Sequence, residues 1–100
     1  METIDARKAV TSAIDYLNQM KDLMSENFSN PKLEELELSD DRQFWLVTLG
    51  YDVPYKLSNI EKLINPPPNL LGNTAYRRAY KILHVDRNTG QVQSMKIRSI

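Results

Sequence analysis

The sequence predicts an α+β fold: one long N-terminal helix packed on a four-stranded antiparallel meander, with a proline-rich insertion between strands two and three. Three features carry that expectation. Apolar residues recur at helical spacing from Ile4 to Glu26, four later stretches favour extended backbone, and turn chemistry joins those stretches in pairs. A chain of 100 residues holds one domain, 1–100, with no room for two independent cores.

In the helix, Ala6, Val10, Ala13, Leu17, Met20 and Met24 step by four, three, four, three and four, which keeps them on one face. Ala9, Ile14, Tyr16 and Leu23 widen that stripe, and Met20 and Met24 read as core filler. Thr3 or Asp5 can cap the start by accepting from free backbone N–H groups. Asn27, Ser29, Asn30 and Pro31 end the helix, because proline cannot continue its hydrogen-bond ladder.

The first strand is read from Leu33 to Leu38, where Leu36 and Leu38 alternate with Glu35 and Glu37. Ser39-Asp40-Asp41-Arg42 is turn chemistry, so this strand and the next form an antiparallel hairpin. The second strand, Gln43 to Tyr51, holds the only tryptophan and is apolar on both faces, as a central strand should be. Trp45, Val47, Leu49 and Tyr51 are the larger set and are expected to face the helix. Phe44, Leu46, Thr48 and Gly50 then cover the back of the sheet. Tyr76 to Asp86 and Val92 to Ile100 read as strands three and four. Between them Gly90 supplies the positive φ that a short bulged hairpin needs.

The insertion, 52–75, contains Ser58-Asn59-Ile60-Glu61, a capping-box pattern for a short helix over 59–64. Pro66-Pro67-Pro68 stop it and favour extended backbone without ladder hydrogen bonds. Asn69-Leu70-Leu71-Gly72-Asn73 reads as an irregular loop. Long insertions in small domains more often carry function than the strands beside them.

The order of helix, strand pair and final hairpin, with Phe44-Trp45-Leu46-Val47 and Val85-Asp86-Arg87-Asn88-Thr89-Gly90-Gln91-Val92, is similar to PepSY-type domains and to the wider cystatin-like group. PepSY-type sequences typically close on valine-aspartate, two residues, threonine-glycine, one residue and valine, which is the string from Val85 to Val92. The resemblance implies a helix across a curved antiparallel sheet and a role in binding or inhibiting a partner protein. Such domains often lie outside the cytoplasm, whereas this N-terminus shows no export signal and the insertion is additional. Cystatin inhibitors use a glutamine-x-valine-x-glycine hairpin and an early glycine. Gln91-Val92-Gln93 does not match that hairpin and no glycine precedes Gly50, so inhibition of cysteine proteases is not expected.

Formal net charge is zero, but residues 1–41 carry four basic and ten acidic side chains, while residues 76–100 carry six and one. No cysteine is present, which removes disulfides, thiolate nucleophiles and cysteine metal sites. No stretch reaches transmembrane length, and the N-terminus lacks the pattern of a secretory signal, so a cytoplasmic protein without membrane association is expected.

The chemistry-bearing residues are sparse. His84, the only histidine, reads as a structural strand residue; without cysteine it makes a transition-metal site improbable. Asp40 and Asp41 lack calcium-loop spacing and suffice as a turn. Ser94, His84 and Asp86 can approach one another across the last hairpin, an arrangement that antiparallel pairing also produces by chance. Isolated Gly72 and Gly90 make no phosphate-cradling loop. No cofactor, metal or catalytic residue is assigned, and an enzyme is not expected.

Two readings of function follow. The first is a non-catalytic protein-binding module, inhibitory or antitoxin-like, with a protein partner or a second copy meeting Phe44, Leu46, Tyr55, Leu57, Leu70 and Leu71. The alternative is nucleic-acid binding through Arg77, Arg78, Lys81, Lys96 and Arg98, interleaved with Tyr76 and Tyr80. Against it stands the neutral whole-chain charge, and the same basic residues can pair with the acidic first strand. A small-ligand pocket between helix and sheet is a third, weaker idea, lost if Trp45 and Leu17 fill that space.

Overall fold

A computed structural model describes residues 2–24, 28–56 and 74–98, and the side chains of all of these except Ser29, Tyr55, Lys56, Thr74 and Ala75. One helix, α1 (Ala6–Gln19), packs on an open antiparallel sheet of four strands. The strands are β1 (Ser29–Leu38), β2 (Phe44–Lys56), β3 (Thr74–Asp86) and β4 (Val92–Ile97), side by side in chain order. The expected α+β architecture is therefore the one adopted.

Asp5 caps α1, its Oδ1 accepting the Lys8 N–H at 2.8 Å. Ala9, Ala13 and Leu17 are fully buried, and the two alanines let the helix lie close to the strands. The helix is shorter than its periodicity implies. It closes at Gln19, a single 3-10 turn follows over Lys21–Leu23, and Met24 is already extended. Leu23, expected on the buried stripe, is 82% exposed. The physical reason lies downstream: Phe28 is buried with its ring 4.6 Å from that of Tyr51, and the Lys21 ammonium sits 5.0 Å from the Phe28 ring centre. Burying a whole phenyl ring is worth more than one further turn of helix. Ile4 also lies outside the helix. Its N–H donates to Arg87 O at 2.8 Å and its carbonyl accepts from the Trp45 indole N–H at 3.2 Å, so extended backbone ties it to the end of the sheet.

β2 and β3 pair without a slip from Phe44↔Asp86 to Lys56↔Thr74. This extends both strands beyond their expected limits. Residues 52–56 and 74–75 of the expected insertion are strand, because the ladder continues and Val53 is buried. Residues 57–73, with the capping box and the three prolines, lie outside the described residues. β1 begins at Ser29 rather than Leu33 and includes Pro31, which an edge strand tolerates. β4 ends at Ile97, short of Ile100.

The register puts Trp45, Val47, Leu49 and Tyr51 on the helix side, as their size implies, with Leu36 and Leu38 of β1 beside them. Leu83 and Val85 of β3 complete the buried layer, with Met95 and Val92 of β4 packed against it. Leu17 and its neighbours occupy the interval between helix and sheet, so the idea of an internal ligand pocket is dropped. The turns behave as their chemistry dictates. Asp41 Oδ1 accepts from the Ser39 hydroxyl at 2.7 Å and from the Gln43 N–H at 3.0 Å. Asp86 Oδ1 accepts the N–H groups of Asn88 and Thr89 at 2.8 and 3.0 Å, and Gly90 adopts φ 78°.

Leu17→Ala should cost about 2–5 kcal/mol of stability, the range for deleting a fully buried leucine, measured by urea unfolding. A second expectation concerns Asp41, whose carboxyl is held below its ordinary pKa first by the Ser39 hydroxyl and then by the Gln43 N–H. Its contribution is complete above the ordinary carboxylate value and fades as pH falls through the depressed one. Following the carboxyl resonance by NMR should show the low titration, and Ser39→Ala should move it upward.

Candidate partner-binding surface

The sheet face turned away from α1 is defined by register. Leu46, Thr48 and Asp52 of β2 lie opposite His84, Ile82 and Arg78 of β3, and opposite Glu37, Glu35 and Ser29 of β1. Phe44 and Leu46 are both half-buried. The Phe44 ring lies 6.1 Å from the His84 imidazole, and Leu46 is the direct cross-strand neighbour of His84. The two apolar residues thus sit at one end of this face, beside a histidine.

The middle of the face is a lattice of charges. Arg98, just past β4, reaches across β3 to donate to Thr48 Oγ1 and Glu35 Oε2, each at 3.3 Å. Arg78 donates to Glu34 and, at 3.2 Å, to Asp52 Oδ1. These contacts, the Glu34 hydrogen bond foremost and against some desolvation, raise the Arg78 pKa. Glu34 lies over Gly50, where a Cβ would stand 2.7 Å from Glu34 Oε1. The absence of a side chain at position 50 is what lets this carboxylate cross β2. All these pairs are partly exposed and individually worth no more than about 1 kcal/mol. They also neutralise two of the five basic residues considered for nucleic-acid binding, and they place carboxylates where phosphates would have to lie.

His84 and Ser94 are direct cross-strand neighbours, yet among the described residues no hydrogen bond joins them. Asp86, the third member of the arrangement, spends its Oδ1 on the turn amides. The described residues contain no group of three or more His, Asp or Glu placed to hold a metal, and no helix long and apolar enough to cross a membrane.

Two grooves remain. One, of about 490 Å³, runs between α1 and β1 and is lined by Ala6, Arg7, Val10, Thr11, Leu33 and Leu36. The other, of about 360 Å³, lies where β4 stops beside β3, lined by Arg77 to Lys81 together with Ile97 and Arg98. Ile97 is 76% exposed there, and Tyr76, outside the groove on the other face of β3, is 56% exposed. Ile97 lies opposite Lys81, on the helix side of the sheet, but α1 does not reach it.

No family model, curated protein or solved structure matches the chain significantly. Its site must be read from its own geometry.

Of the six residues expected to meet a partner, Phe44 and Leu46 lie together on the back face. Tyr55 belongs to β2, not to a loop, and its side chain is not among those described; Leu57, Leu70 and Leu71 lie outside the described residues. Sequence reasoning passed over Tyr76 and Ile97 as partner-binding candidates. The signal was length: α1 spans ~20 Å, whereas the thirteen residues of β3 span ~40 Å. Ile97, on the helix side near the far end of the sheet, therefore outruns the helix that would cover it, while Tyr76 lies on the face turned away from α1.

Gly50→Ala should push Glu34 off β2 and cost about 1 kcal/mol. In a Glu34→Ala background the same change should be near neutral. Equal costs in both backgrounds, measured by chemical denaturation, would show that the close approach is not what constrains Gly50.

Proposed function

We propose that the chain is a non-catalytic protein-binding module. The observation that carries this reading is the end of the sheet where both α1 and β4 have stopped, leaving Ile97 exposed beside Lys81 on the helix side and Tyr76 exposed beside Arg78 on the opposite face. Amphipathic aromatic and aliphatic side chains next to cations are the composition of a protein-contact surface. The groups from which catalysis would be built have structural uses: Asp86 closes a turn, and His84 packs beside Phe44. The PepSY-type resemblance points to the same class of role.

Nucleic-acid binding is the lesser reading. It draws support from Tyr76 and Tyr80 on the same face as Arg78 and Lys96. It is weakened by Glu34, Glu35 and Asp52, whose negative charges lie among those cations.

The immobilised full chain should retain a protein from native extract, and the Tyr76→Ser/Ile97→Ser double variant should retain roughly tenfold less while unfolding at an unchanged temperature. Equal retention by both proteins removes the basis of the reading. Retention abolished by nuclease, together with a salt-sensitive shift on single-stranded DNA or RNA, favours the alternative.

A further inference from the structure

The four-stranded sheet has unequal edges. β4 accompanies β3 only from Lys81 to Val85, with one more bond from the Arg98 N–H to Tyr80 O at 3.1 Å. Among the described residues no strand lies beside Thr74–Ala79 on that side, a run of about 20 Å. The Arg98 bond sets which groups face outward. In an antiparallel ladder, alternate residues turn their N–H and C=O to the same side. Arg78 and Tyr76 share the parity of Tyr80 and present theirs to the outer edge, while Ala75, Arg77 and Ala79 turn theirs toward β2. Pro54, directly opposite Tyr76, fits this alternation, since its missing N–H is not needed on the β3 side.

The other edges are blunted. β1 carries Pro31, Asn30 at φ 53° and two register irregularities. Past Asp52, β2 carries Pro54. β4 is six residues long with an irregularity at Val85. Proteins use short strands, prolines and bulges to keep edges from pairing with other chains. The outer edge of β3 from Thr74 to Ala79 has no proline and no irregularity in its pairing with β2.

The charge around this edge selects the occupant. Residues 76–100 carry six basic side chains and one acidic, and of the basic ones Arg78 and Arg98 are paired with carboxylates of β1 and β2. Arg77 and Lys81 flank Ala79 on the helix-side face, and Lys81 makes no ion pair within the described residues. A second copy offering the same edge would bring Lys81 against a second Lys81. A second copy offering β1 would present carboxylates on an irregular strand that contains proline. We propose that the outer edge of β3 at Tyr76 and Arg78 receives an extended acidic segment of a partner protein as an additional strand. Backbone hydrogen bonds hold it, while Lys81 selects acidic side chains. Tyr76 and Ile97 supply the apolar contacts.

This rests on the protein-binding reading and is tested apart from it. The probe is an eight-residue peptide alternating glutamate and valine, blocked at both ends, titrated into the isotope-labelled full chain. The largest shifts are expected at the amides of Tyr76 and Arg78, with affinity falling as salt rises. Tyr76→Pro removes one outward N–H and leaves the β2 ladder intact, and should weaken binding at least about tenfold while core resonances hold. If that variant does not fold, the same peptide with alternate backbone nitrogens methylated supplies the test on wild-type protein, with the same loss expected. A lysine–valine peptide should not bind. Equal binding of the lysine peptide, of the methylated peptide or to Tyr76→Pro overturns the proposal, as does no binding at millimolar peptide. A dimer in sedimentation that Tyr76→Pro abolishes would put a second copy in this place and overturn it too. A natural partner retained equally by wild type and Tyr76→Pro overturns the edge as the site and leaves the protein-binding reading standing.

Discussion

The unbroken pairing of β2 with β3 is the constraint on which the rest of the molecule depends. From Phe44↔Asp86 to Lys56↔Thr74 the register never shifts, so each side chain's face is set along the full length of both strands. A slip of one residue in β2 would send Val47, Leu49 and Tyr51 to the charged side and bring Asp52 to the helix side. Irregularities occur only where β1 and β4 join this central pair, at Ser29/Lys32, Leu33/Glu35 and His84/Val85. The outer strands thus adapt to a rigid centre, and adaptation leaves them shorter than the strands they flank.

The same register explains a chain that is neutral overall and segregated locally. The acidic strand β1 and the basic strand β4 occupy opposite edges, separated by the central pair. Arg98 nevertheless reaches Glu35, and Arg78 reaches Glu34, because the side chains on this face include threonine and glycine at positions 48 and 50. Small residues under the guanidinium groups let the charges cross the sheet at low height. Each partly exposed pair contributes little energy. Together they favour one order of strands over its alternatives, since a sheet with β1 and β4 exchanged would lose these pairings.

Much of this was legible in the residues. Helical spacing located α1, alternation located the four strands, and the larger face of β2 was rightly placed against the helix. The misplaced boundaries share a cause. Leu23 kept helical spacing but was left in solvent because Phe28 had to reach Tyr51, a contact between positions whose partnership no local pattern announces. Pro31 was read as a breaker, yet it sits in an edge strand whose outer side needs no donor, a fact that depends on the neighbours present. The exposure of Ile97 was missed for a related reason. Alternation tells which face a residue takes, and only the relative lengths of helix and strands tell whether anything covers it.

The basic residues along β3 admit two physical descriptions that prove to be one. Cations on an exposed strand are a common guard against unwanted pairing, and Lys81 would repel an identical edge. A guard made of charge, however, acts by sign. It excludes a copy of itself and attracts an acidic strand, whereas proline excludes any partner that needs the missing donor. This chain places proline on β1 and on the far end of β2, and bulges where β1 and β4 meet the centre. On the outer side of β3 it relies on charge alone. An edge closed to every partner would be served by the proline already used elsewhere; an edge protected only by sign remains open to the opposite one, and that asymmetry distinguishes a binding edge from a merely defended one.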